Sequence, residues 1–192
     1  MSSLANIMVR VDWSTGTLDS PEVGRSRKTL GEIRELFLDQ KAAEAIAPER
    51  LIYSVEWWAP VPEKTEGALF WGTTIIEPGQ VGNEYFMTHG HFHAKSDRTE
   101  FYSTICGQGA LILMSRQRKT WSEEMSPGSL HHIPAHTAHR VANTGSVPLR
   151  FVACWPSDAG HDYAEIRNKG FSARLVSVSG SPTLVEQTHG RA

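Results

Sequence analysis

The chain has 192 residues, 40% of them hydrophobic and 21% charged, the size and make-up of one globular domain with a sizeable core. Nineteen basic against twenty-one acidic residues leave a formal net charge of -2, too balanced to draw the chain to nucleic acid or to an anionic membrane. A small anionic ligand, which needs only a few local donors, stays open. Two cysteines, Cys106 and Cys154, stand in apolar runs with no C-x-x-C pair. That excludes zinc-ribbon and thioredoxin-type chemistry and predicts buried, reduced thiols. The start "MSSLANIMVRVDWSTG" lacks the basic-then-apolar pattern of a secretion signal. No window approaches the roughly 20 apolar residues of a membrane span. A cytoplasmic protein is expected.

In chain order, "IMVRVDWSTGTLD" (7–19) predicts a short strand pair around Thr15-Gly16. "SRKTLGEIRELFLDQKAAEAIA" follows, with Leu30, Ile33, Phe37 and Leu38 at helical spacing, and predicts one or two short helices ending before Pro48. From Leu51 onward the texture changes. "LIYSVEWW", "ALFWGTTII", "EYFMTHGHFH", "TEFYSTI", "GALILMS", "KTWSEEM", "SLHHIPAHTAHRVAN", "LRFVACW" and "ARLVSVS" are short β-branched and aromatic runs, separated by turns such as "EPG", "GQG", "SPG" and "TGSVP". Many short strands with no α/β alternation predict an all-β sandwich or barrel. The expected organisation is a single domain: an N-terminal strand and helical arm over 1–50, a β-barrel over 51–178 and a polar tail over 179–192.

The chemistry concentrates in "THGHFHAKSDRTEFYSTICGQG" (88–109). In a strand His91 and His93 share a face about 7 Å apart. Glu100, seven residues on, can return on the next strand with Tyr102 on its own face, and opposed side chains of an antiparallel pair approach to roughly 5 Å. His139 in "HIPAHTAHRV" supplies a further imidazole. Three imidazoles and a carboxylate without thiolate suit Fe(II), Mn(II), Ni(II), Co(II) or Zn(II), and leave coordination positions open for a substrate. His89 is separated from this set by Gly90 and reads as a rim residue. His131, His132 and His136 read as loop or strand surface, and His189 as part of the solvated tail. Trp57, Trp58, Trp71, Trp121 and Trp155 read as packing residues rather than a sugar platform.

Gly82, Glu84, Gly90, His91, His93, Glu100 and Gly107, followed by Pro127-Gly128, Pro134, His139 and Asn143, resemble the two-part motif of the cupin superfamily. The interval from His93 to Glu100 is longer than in that motif. With "GNEYFMTHGHFHAKSDRTEFY", "PAHTAHRVANTG" and "PSDAGHDYAEIRNKGFS" it resembles the cupin-type phosphoglucose isomerases, best known from archaea, across most of residues 9–175. The resemblance implies an all-β cupin fold, a double-stranded β-helix or jelly-roll barrel with a short helical arm. It implies an aldose–ketose isomerase for glucose 6-phosphate and fructose 6-phosphate, working through an enediolate or a hydride shift, with no nucleic-acid or membrane partner. One divalent ion per subunit, Fe(II) first, would sit on His91, His93, Glu100 and His139. Tyr53, Thr74, Thr88, Gly90 and Tyr102 would contact the sugar phosphate. Glu100 and His161 would be catalytic, and the assembly would be a homodimer. Trp155 stands where that family has a tyrosine, so a hydroxyl contact would be lost. Two other readings use the same ligands: a cupin oxidoreductase or dioxygenase, and a non-enzymatic sugar-binding cupin. The Thr88-Gly90 stretch and the "AGHDY" segment weigh against the first, and the lack of a fused helix-turn-helix against a sugar-sensing regulator.

Overall fold

β-Branched and aromatic runs bounded by glycine and proline turns dominate the chain, and in the computed structural model, which describes residues 8–187, they form antiparallel strands. A small hairpin comes first, β1 (Arg10–Asp12) against β2 (Thr17–Asp19), turning at the expected Thr15-Gly16. Next come β3 (Gly24–Thr29), α1 (Leu30–Ile33), a 3-10 turn over Arg34–Leu36 and α2 (Gln40–Glu44). β4 (Leu51–Trp58), β5 (Leu69–Ile76), β6 (Gln80–Val81) and β7 (Glu84–Tyr85) follow. Then come β8 (Glu100–Cys106), β9 (Gly109–Ser115), β10 (Thr120–Met125), β11 (Leu130–Ile133), β12 (Thr137–Asn143) and β13 (Leu149–Pro156). The chain ends with α3 (Ala164–Lys169), β14 (Ala173–Val178) and β15 (Ser181–Glu186). This is an all-β cupin barrel.

Six strands in the order β11-β8-β13-β5-β4-β3 make one wall, and β10-β9-β12 make the other. β15-β14-β7-β6 form a separate four-stranded sheet. On β8, Glu100, Tyr102 and Thr104 are buried while Phe101 is exposed, the alternation of a strand with one wet face. β9 is buried on both faces instead. Leu111 and Leu113 lie opposite Val141 and His139 on one face, Ile112 and Met114 opposite Arg140 and Ala138 on the other. The second face is covered by the segment leading into β14, where Ser172 N meets Met114 Sδ at 3.3 Å and the Arg140 guanidinium lies over the Phe171 ring. That double cover explains why "GALILMS" is apolar throughout.

The sheet reaches further than the expected bounds in both directions. Ser26–Thr29, read with the helical stretch, lie in β3, because the edge of β4 offers that segment a ladder. The helical remainder is broken into short pieces: a Thr29/Glu32 capping box starts α1, and Asp39 caps α2 through Ala42 N at 2.9 Å. At the other end part of the polar tail is β15, paired with β14 along its length. α3 was not expected, and His189 lies outside the described residues. Both cysteines are free, as expected, but half-buried rather than buried. His132 and His136 are exposed, whereas His131 is buried, held by Glu123 at 2.8 Å and Ser129 at 2.8 Å. A surface reading failed there because the imidazole turns inward between Glu123 on β10 and Ser129 in the turn before β11. Trp121 and Trp155 pack against the core.

Asn143, the last residue of the sequence motif, is fully buried and structural. Its Nδ2 donates to Ile76 O and Val147 O, both at 2.9 Å, and its Oδ1 accepts from Gly145 N at 2.9 Å. Asn143→Ala should therefore cost about 2–3 kcal/mol, since two carbonyls lose a buried donor. A lowered denaturant midpoint with an unchanged slope is the expected measurement.

Candidate metal centre and active site

The H-x-H segment is not part of a long strand. Its backbone forms single bridges on both sides: His91 exchanges hydrogen bonds with His139 (3.2 and 3.0 Å), and Phe92 with Asp162 (3.1 and 2.8 Å). Alternation then turns Phe92 one way, fully buried beneath the Arg116 guanidinium, and both histidines the other. The His91 and His139 ring centroids are 4.4 Å apart, and those of His93 and His139 5.2 Å. One ring nitrogen from each of His91, His93 and His139 falls within 4.8 Å of the others. Glu100, at the start of β8, adds its Oε2 at 3.1 Å from His93 Nε2 and 3.2 Å from His139 Nε2.

The four expected ligands are thus brought together, but by a different route. The H-x-H segment pairs with β12, not with the strand of Glu100, which reaches the histidines from the opposite wall. Residue spacing sets which face a side chain takes; it does not choose the neighbouring strand.

The protonation preferences are coupled. Burial would raise the Glu100 carboxyl, yet hydrogen bonds and charge from His139 and His93 bring it below its ordinary value. Burial would lower His93, but the Glu100 carboxylate overrides this and raises it. His91 is held well below its ordinary value by desolvation and then by the neighbouring imidazoles, His139 first. His93 Nδ1 lies 3.0 Å from Arg98 O. A carbonyl only accepts, so Nδ1 carries the proton and Nε2 can turn a lone pair inward. Nδ1 of buried His139 lacks a hydrogen-bond partner, and its Nε2 faces Glu100 Oε2 at 3.2 Å. Inward lone pairs beside an ionised carboxylate fit a divalent cation.

The loop that carries Arg98 is stapled to the segment before His161. Asp158, buried, accepts from Arg98 Nε at 2.9 Å, Arg98 Nη2 at 2.8 Å and Lys95 Nζ at 2.8 Å. These donors hold its carboxyl well below the usual range. Lys95 N also donates to Ala159 O at 2.9 Å. Lys95 and Arg98 are therefore both committed to Asp158.

His161 sits at the exposed mouth, 4.4 Å from His91 between ring centroids, and desolvation lowers it. Tyr163, which sequence reasoning passed over although it ends the "AGHDY" segment, stacks on His89 at 4.8 Å and lies near-parallel to His161 at 5.7 Å. His89 is half-buried and outside the three-histidine group, as a rim residue should be. Tyr102 faces His139 at 5.9 Å, its phenol pushed well above the ordinary value by burial. Thr74 shares that face of the six-stranded wall through the Thr104–Phe151–Thr74 row, and Tyr53 through its pairing with Ile76. No contact ties Thr74 to the histidines. Tyr53 is pushed up to about 12 by burial, against the opposing hydrogen bond of the His89 backbone. Thr88 Oγ1 accepts from Val141 N at 3.1 Å. Gly90 has φ +79°, the left-handed region that glycine tolerates. The Trp155 indole lies over Gly72, where an added Cβ would meet it at 2.9 Å, and edge-on to Phe70 at 6.1 Å. Surface concavities around Pro78 and Thr144 and around Gln108 and Leu184 hold no histidine.

Fold and cluster together define a cupin with three inward histidines able to hold a metal ion. Residues 27–189 match the family described as Glucose-6-phosphate isomerase (GPI). The chain is 38% identical over 183 residues to a glucose-6-phosphate isomerase of Thermococcus litoralis, covering 95% of each chain. It is 36% identical over 178 residues to that of Pyrococcus furiosus, covering 93% of each. It is 33% identical over 175 residues to a putative glucose-6-phosphate isomerase 2 of Rhizobium meliloti, covering 90% of this chain and 86% of the relative. Among solved structures, an oxalate decarboxylase of Bacillus subtilis superposes with a TM-score of 0.44 at 18% identity, over 57% of this chain and 27% of that one, a likeness too slight to bear on function. The chain belongs to the glucose-6-phosphate isomerase family, a family of isomerases.

Asp158→Ala should release the 94–98 loop from the 158–160 segment. Amide exchange at Lys95 should quicken relative to the wild type, while amides of β9, buried on both faces, keep their protection.

Proposed function

We propose that this protein interconverts glucose 6-phosphate and fructose 6-phosphate on a divalent cation held by His91, His93, Glu100 and His139. The observation that carries this reading is the near-full-length similarity to proteins named for that activity, on a chain whose buried imidazoles and carboxylate converge. Fe(II) is the first choice of ion, with Mn(II), Ni(II), Zn(II) and Co(II) compatible with the same donors. A cation there would supply Lewis acidity to the C1 and C2 oxygens of the open-chain sugar.

The chain's own residues supply the rest. Glu100 is the candidate to take a proton from C2 and return it to C1, but its lowered pKa makes it a weak base. The alternative is hydride passage from C2 to C1, with Glu100 acting as a ligand. Either route moves a proton between O2 and O1. His161, mainly neutral at pH 7 because its pKa is lowered, can accept it from one oxygen and return it to the other. Tyr102, which lies against His139, would stand beside the sugar. The phosphate would meet neutral donors: the hydroxyls of Tyr53, Thr74 and Thr88 and the Gly90 N–H. Thr88 Oγ1 already accepts from Val141 N, which leaves its own proton free to donate. Trp155 brings an indole instead of a phenol to the same wall. A cytoplasmic homodimer goes with this reading.

The test is a coupled fructose 6-phosphate assay on EDTA-treated protein, before and after adding each ion. Turnover should fall with chelation and return with metal, and His91→Ala or His139→Ala should lose metal content and turnover together. Full turnover in metal-free His91→Ala would sink the reading. Apo protein should bind metal more weakly as pH falls through the imidazole range, because the raised pKa of His93 keeps a proton on it that the metal must displace.

A further inference from the structure

Among the described residues, Arg140 is the one buried arginine or lysine, and it makes no ion pair. It leaves β12 on the face opposite His139. Its Nη2 donates to His89 O at 2.6 Å, its Nη1 lies 3.2 Å from Met87 Sδ, and its guanidinium carbon is 4.4 Å from the Phe171 ring centroid. Nε has no hydrogen-bond partner. The nearby carboxylate of Glu84 is engaged by Arg174 and by Leu38 N. A guanidinium out of water with neutral acceptors and one aromatic face is expensive to keep, and an apolar side chain would fill the space more cheaply. Its retention calls for an anion.

The position of the guanidinium says which one. A Cβ on Gly90 would lie 2.9 Å from Arg140 Nε, so the Gly90 backbone rests directly on the charge. Tyr53 lies within electrostatic reach of it, and Thr88 is on the same stretch of backbone. These are the residues assigned above to the phosphate. Lys95 and Arg98, also near the cluster, are both paired with Asp158, and Arg98 with Asp97 as well. One peptide layer of low-dielectric protein therefore separates a cation that makes no ion pair from a subsite whose lining donors are all neutral.

We propose that Arg140 is the positioning residue of the phosphate subsite: it holds the His89 carbonyl so that Gly90 presents its backbone to the ligand, and its buried charge attracts the phosphate dianion without touching it. The inference rests on the isomerase reading and adds the source of its affinity for phosphorylated sugars.

The test uses metal-loaded enzyme and compares the wild type with Arg140→Lys, Arg140→Gln and Arg140→Met. Readouts are KM and kcat for fructose 6-phosphate, the inhibition constant of inorganic phosphate, bound metal and Tm. Either neutral variant should raise both KM and the phosphate inhibition constant by about tenfold or more, with metal content unchanged and a smaller change in kcat. Arg140→Lys keeps the charge and should stay within about threefold of the wild type for phosphate. A merely structural arginine would lower Tm and leave phosphate inhibition alone, and that result in Arg140→Gln or Arg140→Met overturns the proposal. If neither neutral variant folds, a loss of phosphate inhibition in a folded Arg140→Lys protein of more than about tenfold also overturns it, because charge alone would then not suffice. A wild type that neither turns over the sugar phosphate nor responds to phosphate overturns the isomerase reading, and this inference with it.

Discussion

The site depends on one backbone rung, the two-way hydrogen bond between His91 and His139. It sets two imidazoles side by side, and the alternation of the chain then adds His93 on the same side. Glu100 closes the group from the opposite wall, and each partner makes the other's charge state tenable. Burial alone would push the Glu100 carboxyl up and the His93 imidazole down, and each shift is reversed by the partner group. The barrel supplies the set from the 91–100 stretch and from His139, about forty residues on.

Two environments for arginine surround this centre and divide its surroundings into different tasks. Arg98 has an acid partner, Asp158, and its side chain ties a loop while its carbonyl orients His93. Arg140 makes no ion pair, Glu84 nearby being engaged by Arg174, and it lies against the backbone of Gly90. The first charge is consumed inside the protein and works as a mechanical tie. The second is left to act outward through one layer of peptide. The same side-chain chemistry gives rigidity in one case and a local field in the other, according to whether a carboxylate is packed against it.

Much of the barrel was legible in the sequence because strand-forming runs are local. "LIYSVEWW" is β4 from end to end, and "GALILMS" is β9. The ends of the barrel were not legible. Ser26–Thr29 carries no β-branched run and joins the sheet because β4 has a free edge, and Ser181–Glu186 is polar and is a strand because β14 lies beside it. His131 was misplaced for a similar reason: the residues that make its burial tolerable, Glu123 and Ser129, come from β10 and the following turn.

By itself the sequence pointed to the three imidazoles and the carboxylate that the fold brings together, the face each takes on its own segment, and the family to which the chain belongs. Parity and residue type are local properties, carried by the backbone's two-residue period and by the donor atoms themselves. Only the tertiary structure decided the neighbours. It paired the H-x-H segment with β12 and not with β8, placed Asp158 over Lys95 and Arg98, and left Arg140 without an ion pair. Strand partners and buried charge pairs are set by which surfaces can be desolvated together across the whole fold, and no local stretch of chain contains that information.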